Sequence, residues 1–151
     1  VAASRHMGFE MDPRELNEDE TALLKEITQW YKENRCWMHK GFSSQLDLSD
    51  ESQLGEIQIS NDNAKFVSFV VQFEQSKYSS PKPVTLTGLE ANSIYKINLK
   101  TPENAALVSR GKITLRDKEL ILSGQFLMSQ GINLPCAFPG TIWVIEGIKL
   151  C

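Results

Sequence analysis

A chain of 151 residues with a hydrophobic fraction of 41% can bury one packed domain, or one domain with an attached element, and is too apolar to be disordered. Its formal net charge of -3 excludes the basic footprint of a nucleic-acid binder, and no apolar run reaches the length of a membrane span. The N-terminus lacks the positive region followed by an apolar stretch that marks a signal peptide.

Met7 to Leu16 reads as a connection. Asp12 followed by Pro13 is the start of a short helical turn, with Asp as cap and Pro at the first position. Asn17 then caps a longer helix, and Glu20 lies three residues on, where it can reach back to the cap amide. Glu18, Asp19 and Glu20 place negative charge at the positive end of the helix dipole. Leu23, Leu24, Ile27, Trp30 and Tyr31 recur at helical spacing as one apolar stripe, and Gly41 is the stop signal.

After Gly41 the period changes to two. Leu46 and Leu48 alternate, as do Ile57 and Ile59, and residues 60–63 (SNDN) form a turn cluster. Residues 66–73 (FVSFVVQF) are apolar on both faces and predict a central strand. Residues 77–83 (KYSSPKP) predict a loop, because proline is poorly tolerated within a sheet. Val84 and Leu86 begin a strand that Gly88 ends; Tyr95, Ile97 and Leu99 form a half-buried one. Ile113 and Leu115 lead to a turn at Arg116-Asp117-Lys118, and Leu120 to Leu122 follow. Gly124 to Gly131 is open between a strand and a helical turn, and Thr141 to Ile148 is a final buried strand. Short strands with closely spaced turns predict a mainly β chain, an antiparallel β-sandwich behind one long helix. A sandwich does not need that helix, and one helix cannot bury its stripe alone. The chain therefore reads as a piece spanning the seam between two domains of a larger protein.

Little here can carry chemistry. Cys36, Cys136 and Cys151 have neither metal nor redox spacing and read as free thiols in a reducing cytoplasm. With only His6 and His39, a histidine-based triad or catalytic zinc site has poor prospects. Glu18, Asp19, Glu20, Asp47, Asp50, Glu51, Asp62 and Asp117 fall in helix starts and turns and read as solvated; Glu74 and Glu146 mark exposed strand positions or strand ends. No nucleophile elbow, phosphate-binding glycine loop or HExxH pattern is present. No residue is assigned a catalytic, cofactor-binding or metal-binding role. Trp30, Trp37 and Trp143 read as core or interdomain packing, and Tyr78 as the aromatic most exposed.

Leu86-Thr87-Gly88-Leu89, followed by Asn92 and Tyr95, resembles the tyrosine corner of Greek-key sandwiches, in which the phenol bonds back to nearby backbone. Further stretches resemble the α-galactosidases of glycoside hydrolase family 36. Met7-Gly8-Phe9-Glu10-Met11-Asp12-Pro13-Arg14-Glu15-Leu16, with Trp30-Tyr31-Lys32-Glu33-Asn34-Arg35 closing the helix, is similar to that family's last barrel segment. Gly88-Leu89 to Tyr95-Lys96-Ile97 is similar to its GLxxxxxYxV stretch. Leu122 to Pro135 is similar to its SGxxLMxxGLxLP stretch, and Ile142 to Ile145 to its last strand. Residues 101–117 are an insertion-like departure, and residues 34–38 lack the family's aliphatic pair.

The resemblance implies a division at residue 40: residues 1–40 are the end of a catalytic (β/α)8 barrel, and residues 41–151 a C-terminal sandwich. It implies a parent that hydrolyses terminal α-galactosides of the melibiose and raffinose type, by a retaining mechanism without a cofactor. The two catalytic Asp residues of the family lie upstream of the matched stretch, so this chain alone is expected to be inactive. Its expected partners are the barrel, through the helix stripe, and possible further copies of itself in a homo-oligomer. The substrate is bound by the parent. Two other readings remain: a carbohydrate-binding module, which needs an exposed line of aromatics, and a fibronectin-like interaction domain, which leaves the helix unexplained.

Overall fold

The computed structural model describes residues 4–8, 10, 12–80, 82–100 and 119–150. The expected strand at Ile113 and Leu115 and the turn at 116–118 lie outside the described residues. So do Asp117 and Cys151.

A single turn of 3-10 helix, Pro13–Glu15, is capped by the Asp12 side chain. The long helix α1 spans Glu18–Lys40. Its capping box is complete: Asn17 Oδ1 accepts from the Glu20 amide, and the Glu20 carboxylate accepts from the Asn17 amide, both at 2.9 Å. Gly41 ends the helix, its amide donating to Trp37 O at 2.8 Å. It does so in extended conformation, with φ -77° and ψ -177°, so left-handed freedom is not the reason for glycine here. A Cβ at this position would stand 2.2 Å from the backbone oxygen of Ile59. Glycine is required because the helix exit presses against a strand end.

The strands are β1 (Phe42–Gln45), β2 (Gln53–Ile59), β3 (Lys65–Gln72), β4 (Pro83–Val84), β5 (Ile94–Leu99), β6 (Leu120–Ser123), β7 (Ile132–Asn133) and β8 (Ile142–Lys149). A short helix α2, Gly124–Ser129, follows β6, with the Ser123 hydroxyl accepting from the Phe126 amide. This settles the open reading of 124–131 as helical. Six strands make one antiparallel sheet in the order β1-β2-β3-β8-β5-β6, and β4 pairs with β7 in a separate ladder. Pro83 sits at the first position of a two-residue strand, where a missing amide is tolerated.

The expected central strand is β3, hydrogen-bonded to β2 on one side and β8 on the other. It needs apolar residues on both faces because both faces are covered. Ile57, Ile59, Phe66, Val70, Tyr95, Ile97, Trp143 and Ile145 face the main core, which the β4–β7 ladder, α2 and their loops close with Leu86, Leu89, Leu127, Ile132, Leu134 and Ala137. Val67, Phe69 and Val144 face the opposite way, against Trp30, Trp37 and Met38 of α1. The result is a sandwich of unequal layers, with the long helix on the outer face of the larger sheet. No helix among the described residues is long and apolar enough to cross a membrane.

Leu46 and Leu48 are not a strand. Pairing stops at Gln45, and both leucines fold over Gly55. The paired stretch is the polar Phe42–Gln45 on the sheet's edge. Its four residues are all exposed, so it carries no hydrophobic alternation to read.

Candidate functional site

The tyrosine corner is formed. The Tyr95 hydroxyl accepts from the Glu90 amide and donates to Asn63 O, both at 3.3 Å, tying the approach to β5 to the β2–β3 turn. Burial holds the phenol above its usual range, with the Glu90 amide bond working the other way. Glu90 itself is held low, first by Lys149 at 2.6 Å and then by the Ser93 hydroxyl.

Helix α1 is fastened to the sheet by polar groups as well as by packing. The Trp30 indole N–H donates to the Glu146 carboxylate of β8, and its ring stands edge-on to Phe69 at 6.4 Å. Asn34 bridges the two tryptophans, donating to Trp30 O at 2.8 Å and accepting from Trp37 Nε1 at 2.9 Å. The other side of the helix is held by the segment before it. Tyr31 Oη donates to Arg5 O at 3.0 Å, and His39 Nε2 lies 2.8 Å from the same oxygen. The His6 and His39 rings meet edge-on at 4.6 Å. Arg5 pairs with Glu56 of β2 at 3.4 Å, and Gln58 donates to Ser4 O. The chain's two histidines thus help to strap Ser4–Met7 over α1 and β2.

These contacts correct the expectation of a wholly orphaned stripe. Tyr31 is buried beneath the strap, Trp30 and Leu24 are half-buried, and only Leu23 (43%) and Ile27 (37%) are exposed. Leu23 and Ile27 stand seven and three residues before Trp30, on the line that continues through Trp37. The stripe is continuous, but the sheet covers only its C-terminal part. A helix of 23 residues is about 34 Å long, and the residues it packs on the sheet, Trp30, Trp37 and Met38, all lie in its C-terminal half.

Among the described residues the carboxylates do not converge on a catalytic pair. Glu18, Asp19, Glu20, Asp47, Glu51, Asp62 and Glu74 are exposed, while Glu146 is engaged beneath α1. Asp50 departs from the solvated reading: it is only 4% exposed. It accepts from the Ser52 amide (3.0 Å), the Ser52 hydroxyl (2.5 Å) and the Ser76 hydroxyl (2.6 Å), pinning the loop after β3. Burial pushes its carboxyl up, but these bonds and the nearby Lys82 charge outweigh it and hold the group below its ordinary value. Among the described residues no group of three or more His, Cys, Asp or Glu could hold a metal ion. Trp143 is fully buried, and Tyr78 is exposed with Lys82 Nζ 4.4 Å from its ring centre.

One concavity stands out that the sequence did not signal. A groove of about 520 Å³ opens where the strap, β1 and β2 meet, floored by Leu54, Phe69 and Val71 and rimmed by Arg5, Ser43, Ser44, Gln45 and Glu56. Glu56 Oε1 is buried there without a hydrogen-bond partner, as is Gln58 Oε1 two residues along the strand.

The chain is thus an unequal antiparallel sandwich fastened to the last turns of a helix whose Leu23 and Ile27 stay exposed. The family description "Glycosyl hydrolase family 36 C-terminal domain" matches residues 57–143, and the chain belongs to that family. It is 28% identical over 140 residues to an Escherichia coli α-galactosidase, covering 89% of this chain and 20% of that protein. It is 28% identical over 102 residues to a probable α-galactosidase G of Aspergillus terreus, covering 67% of this chain and 14% of that protein. In fold it is similar to the Lactobacillus brevis α-galactosidase, with TM-score 0.78 and 16% identity, over 99% of this chain and 19% of that one. It is also similar to a GH36 α-galactosidase of Geobacillus stearothermophilus solved with raffinose, with TM-score 0.77 and 19% identity, over 99% of this chain and 18% of that one. The chain therefore spans about a fifth of the length of most of these relatives.

Proposed function

We propose that this chain is the C-terminal supporting part of a retaining glycosidase that hydrolyses terminal α-galactosides of the melibiose and raffinose type. In this reading residues 1–40 close the catalytic barrel, with α1 as its last helix, and residues 41–151 are the sandwich beside it. The carrying observation is the exposed continuation of the α1 stripe at Leu23 and Ile27, in a chain belonging to a family C-terminal domain. A barrel helix must show one side to the strands it covers and another to its neighbours, so part of its apolar surface is left open when those elements are absent. The acids among the described residues are scattered or engaged in structural bonds. The nucleophile and acid-base belong to the remainder of the parent, and the chain alone is inactive. The free thiols of Cys36 and Cys136 support a reducing cytoplasm as the parent's location.

The test is hydrolysis of a chromogenic α-galactoside by this chain and by the product of the longer coding region. No turnover by the chain and clear turnover by the longer product are expected. Turnover by the chain alone would overturn its supporting role, and a longer product inert toward α-galactosides would overturn the assigned activity. Sedimentation of the chain carrying Leu23→Glu and Ile27→Glu checks the open stripe. Self-association of the wild type through this surface should be lost in the double variant.

A further inference from the structure

We propose that the outer face of β5, β6 and the end of β8 seats a second helix of the parent, an amphipathic one that lies beside α1 and turns an aliphatic stripe to the sheet. The inference rests on the reading above, since it takes α1 as one helix of a barrel whose others lie outside this chain. Tyr95, Ile97, Trp143 and Ile145 face the main core. By strand alternation Ile94, Lys96, Ile148 and Leu150 face the other way, into the layer that holds α1. Ile148 and Ile121 stand opposite Lys96 on the strands to either side of it, and the Leu150 amide donates to Ile94 O at 2.8 Å. Four large aliphatic residues thus share one patch across three adjoining strands. Ile94 is 41% exposed, Ile121 63%, Ile148 48% and Leu150 38%. A single exposed isoleucine is ordinary, but a contiguous patch marks a contact surface. The neighbouring part of the same face is already a helix seat, where Trp30, Trp37 and Met38 of α1 pack on Val67 and Phe69 of β3 and Val144 of β8. Strands lie about 4.8 Å apart and packed helices about 8–10 Å apart. A helix over β3 and β8 therefore leaves room for the next one two strands on, over β5 and β6, where the patch lies. A helix is about 10–12 Å thick, so α1 stands as a step beside the patch and holds off a flat partner such as the sheet of a second copy. Another helix fills that step and continues the interface α1 has begun. Lys96, at the centre of the patch, is paired with Glu119 at 2.7 Å, so the centre of the seat carries no unpaired charge and suits an aliphatic stripe.

The experiment uses the product of the longer coding region carrying Ile121→Cys or Ile148→Cys. Alkylation of the new cysteine by iodoacetamide is read peptide by peptide in a mass spectrometer, so that the native thiols are counted apart. Each native rate is expected to be about tenfold or more below the rate in urea, as for a site reached only by local opening. p-Benzoylphenylalanine placed at position 121 of the same product should cross-link on irradiation, within one polypeptide, to a segment outside residues 1–151, at acceptors spaced three and four residues apart. Native labelling within about tenfold of the urea rate at either position overturns the proposal. So does a cross-link to a second copy, or none to any segment outside residues 1–151. Hydrolysis of the chromogenic α-galactoside is followed in the same preparations. An inactive product whose patch is protected and cross-linked as expected overturns the assigned activity and leaves the helix seat standing; an active product with the patch open overturns the seat alone.

Discussion

Gly147 lies in β8 directly opposite Phe66 of β3, and the two cannot both carry a ring and a methyl group. A Cβ on Gly147 would stand 2.0 Å from Phe66 Cε1, 2.3 Å from Cζ and 2.7 Å from Cδ1. Carbon atoms rest about 3.5–4.0 Å apart, so Gly147→Ala requires the ring to move by about 1.5 Å. Phe66 is 1% exposed, and its ring stands edge-on to Tyr95 at 5.6 Å. Tyr95 is itself fully buried, its hydroxyl tied to Asn63 and Glu90. The displaced ring presses on a side chain that has nowhere to go. Overpacking of this kind costs about 1–3 kcal/mol, and the rigid neighbour places the expected value at about 2 kcal/mol or above, a fall in Tm of about 4–8 °C for a chain of this size. Urea unfolding of the wild type, Gly147→Ala, Phe66→Leu and the double variant measures it. If the clash is the cause, shortening residue 66 relieves it, and the double variant is more stable than the summed single effects by about 1 kcal/mol or more. A Gly147→Ala midpoint equal to the wild type's, or single effects that add within about 0.5 kcal/mol, would refute the reasoning.

Two further outcomes follow from the polar pins. Tyr95→Phe leaves Asn63 O and the Glu90 amide without their partner and should cost about 1–2 kcal/mol in urea, with faster hydrogen exchange at Glu90; unchanged exchange would remove the corner from the account of stability. Asp50→Ala removes two bonds to Ser52 at the entry to β2 and one to Ser76 in the loop after β3 and should cost about 2–3 kcal/mol. The folded state holds the Asp50 carboxyl below its ordinary 3.8, so its contribution is fully present above that value and is lost as pH falls through the lower folded-state value. The urea midpoint of the wild type should therefore fall more steeply than that of Asp50→Ala below about pH 4, and parallel profiles would refute the assignment.

The features readable from the residues are the ones that physics decides locally. Asn17 with Glu20 is a cap whichever domain follows, and the apolar run of β3 has to be central because both its faces need cover. The Tyr95 corner was legible for a similar reason, since its amide partner Glu90 lies five residues away. Asp50 looked solvated because its burial depends on Ser76, which a loop returns from 26 positions downstream. The edge strand Phe42–Gln45 went unread because a strand with every residue exposed has no alternation to display. The groove could not be read at all. Its rim joins Arg5 to Glu56 across 51 positions, and its unpaired oxygen exists only once strap and sheet have met.

The same distance argument explains why α1 keeps one position on the sheet although its apolar stripe runs past it. Packing alone would allow the helix to slip by a turn, since Ile27, Trp30 and Trp37 are all large and apolar. Glu146 removes that freedom. Its carboxyl lies on the face that α1 covers and takes its hydrogen bond from the Trp30 indole. A slip of one turn towards the N-terminus puts Ile27 above it, and neither Ile27 nor Leu23 has a donor; the half-buried carboxyl would then lose its hydrogen bond, a cost of about 1–2 kcal/mol. A slip the other way brings Asn34, but breaks the bridge that Asn34 makes between Trp30 and Trp37. The half-buried Glu146 thus helps to set which residues of the helix belong to the sheet, and leaves Leu23 and Ile27 as the surface open beyond it.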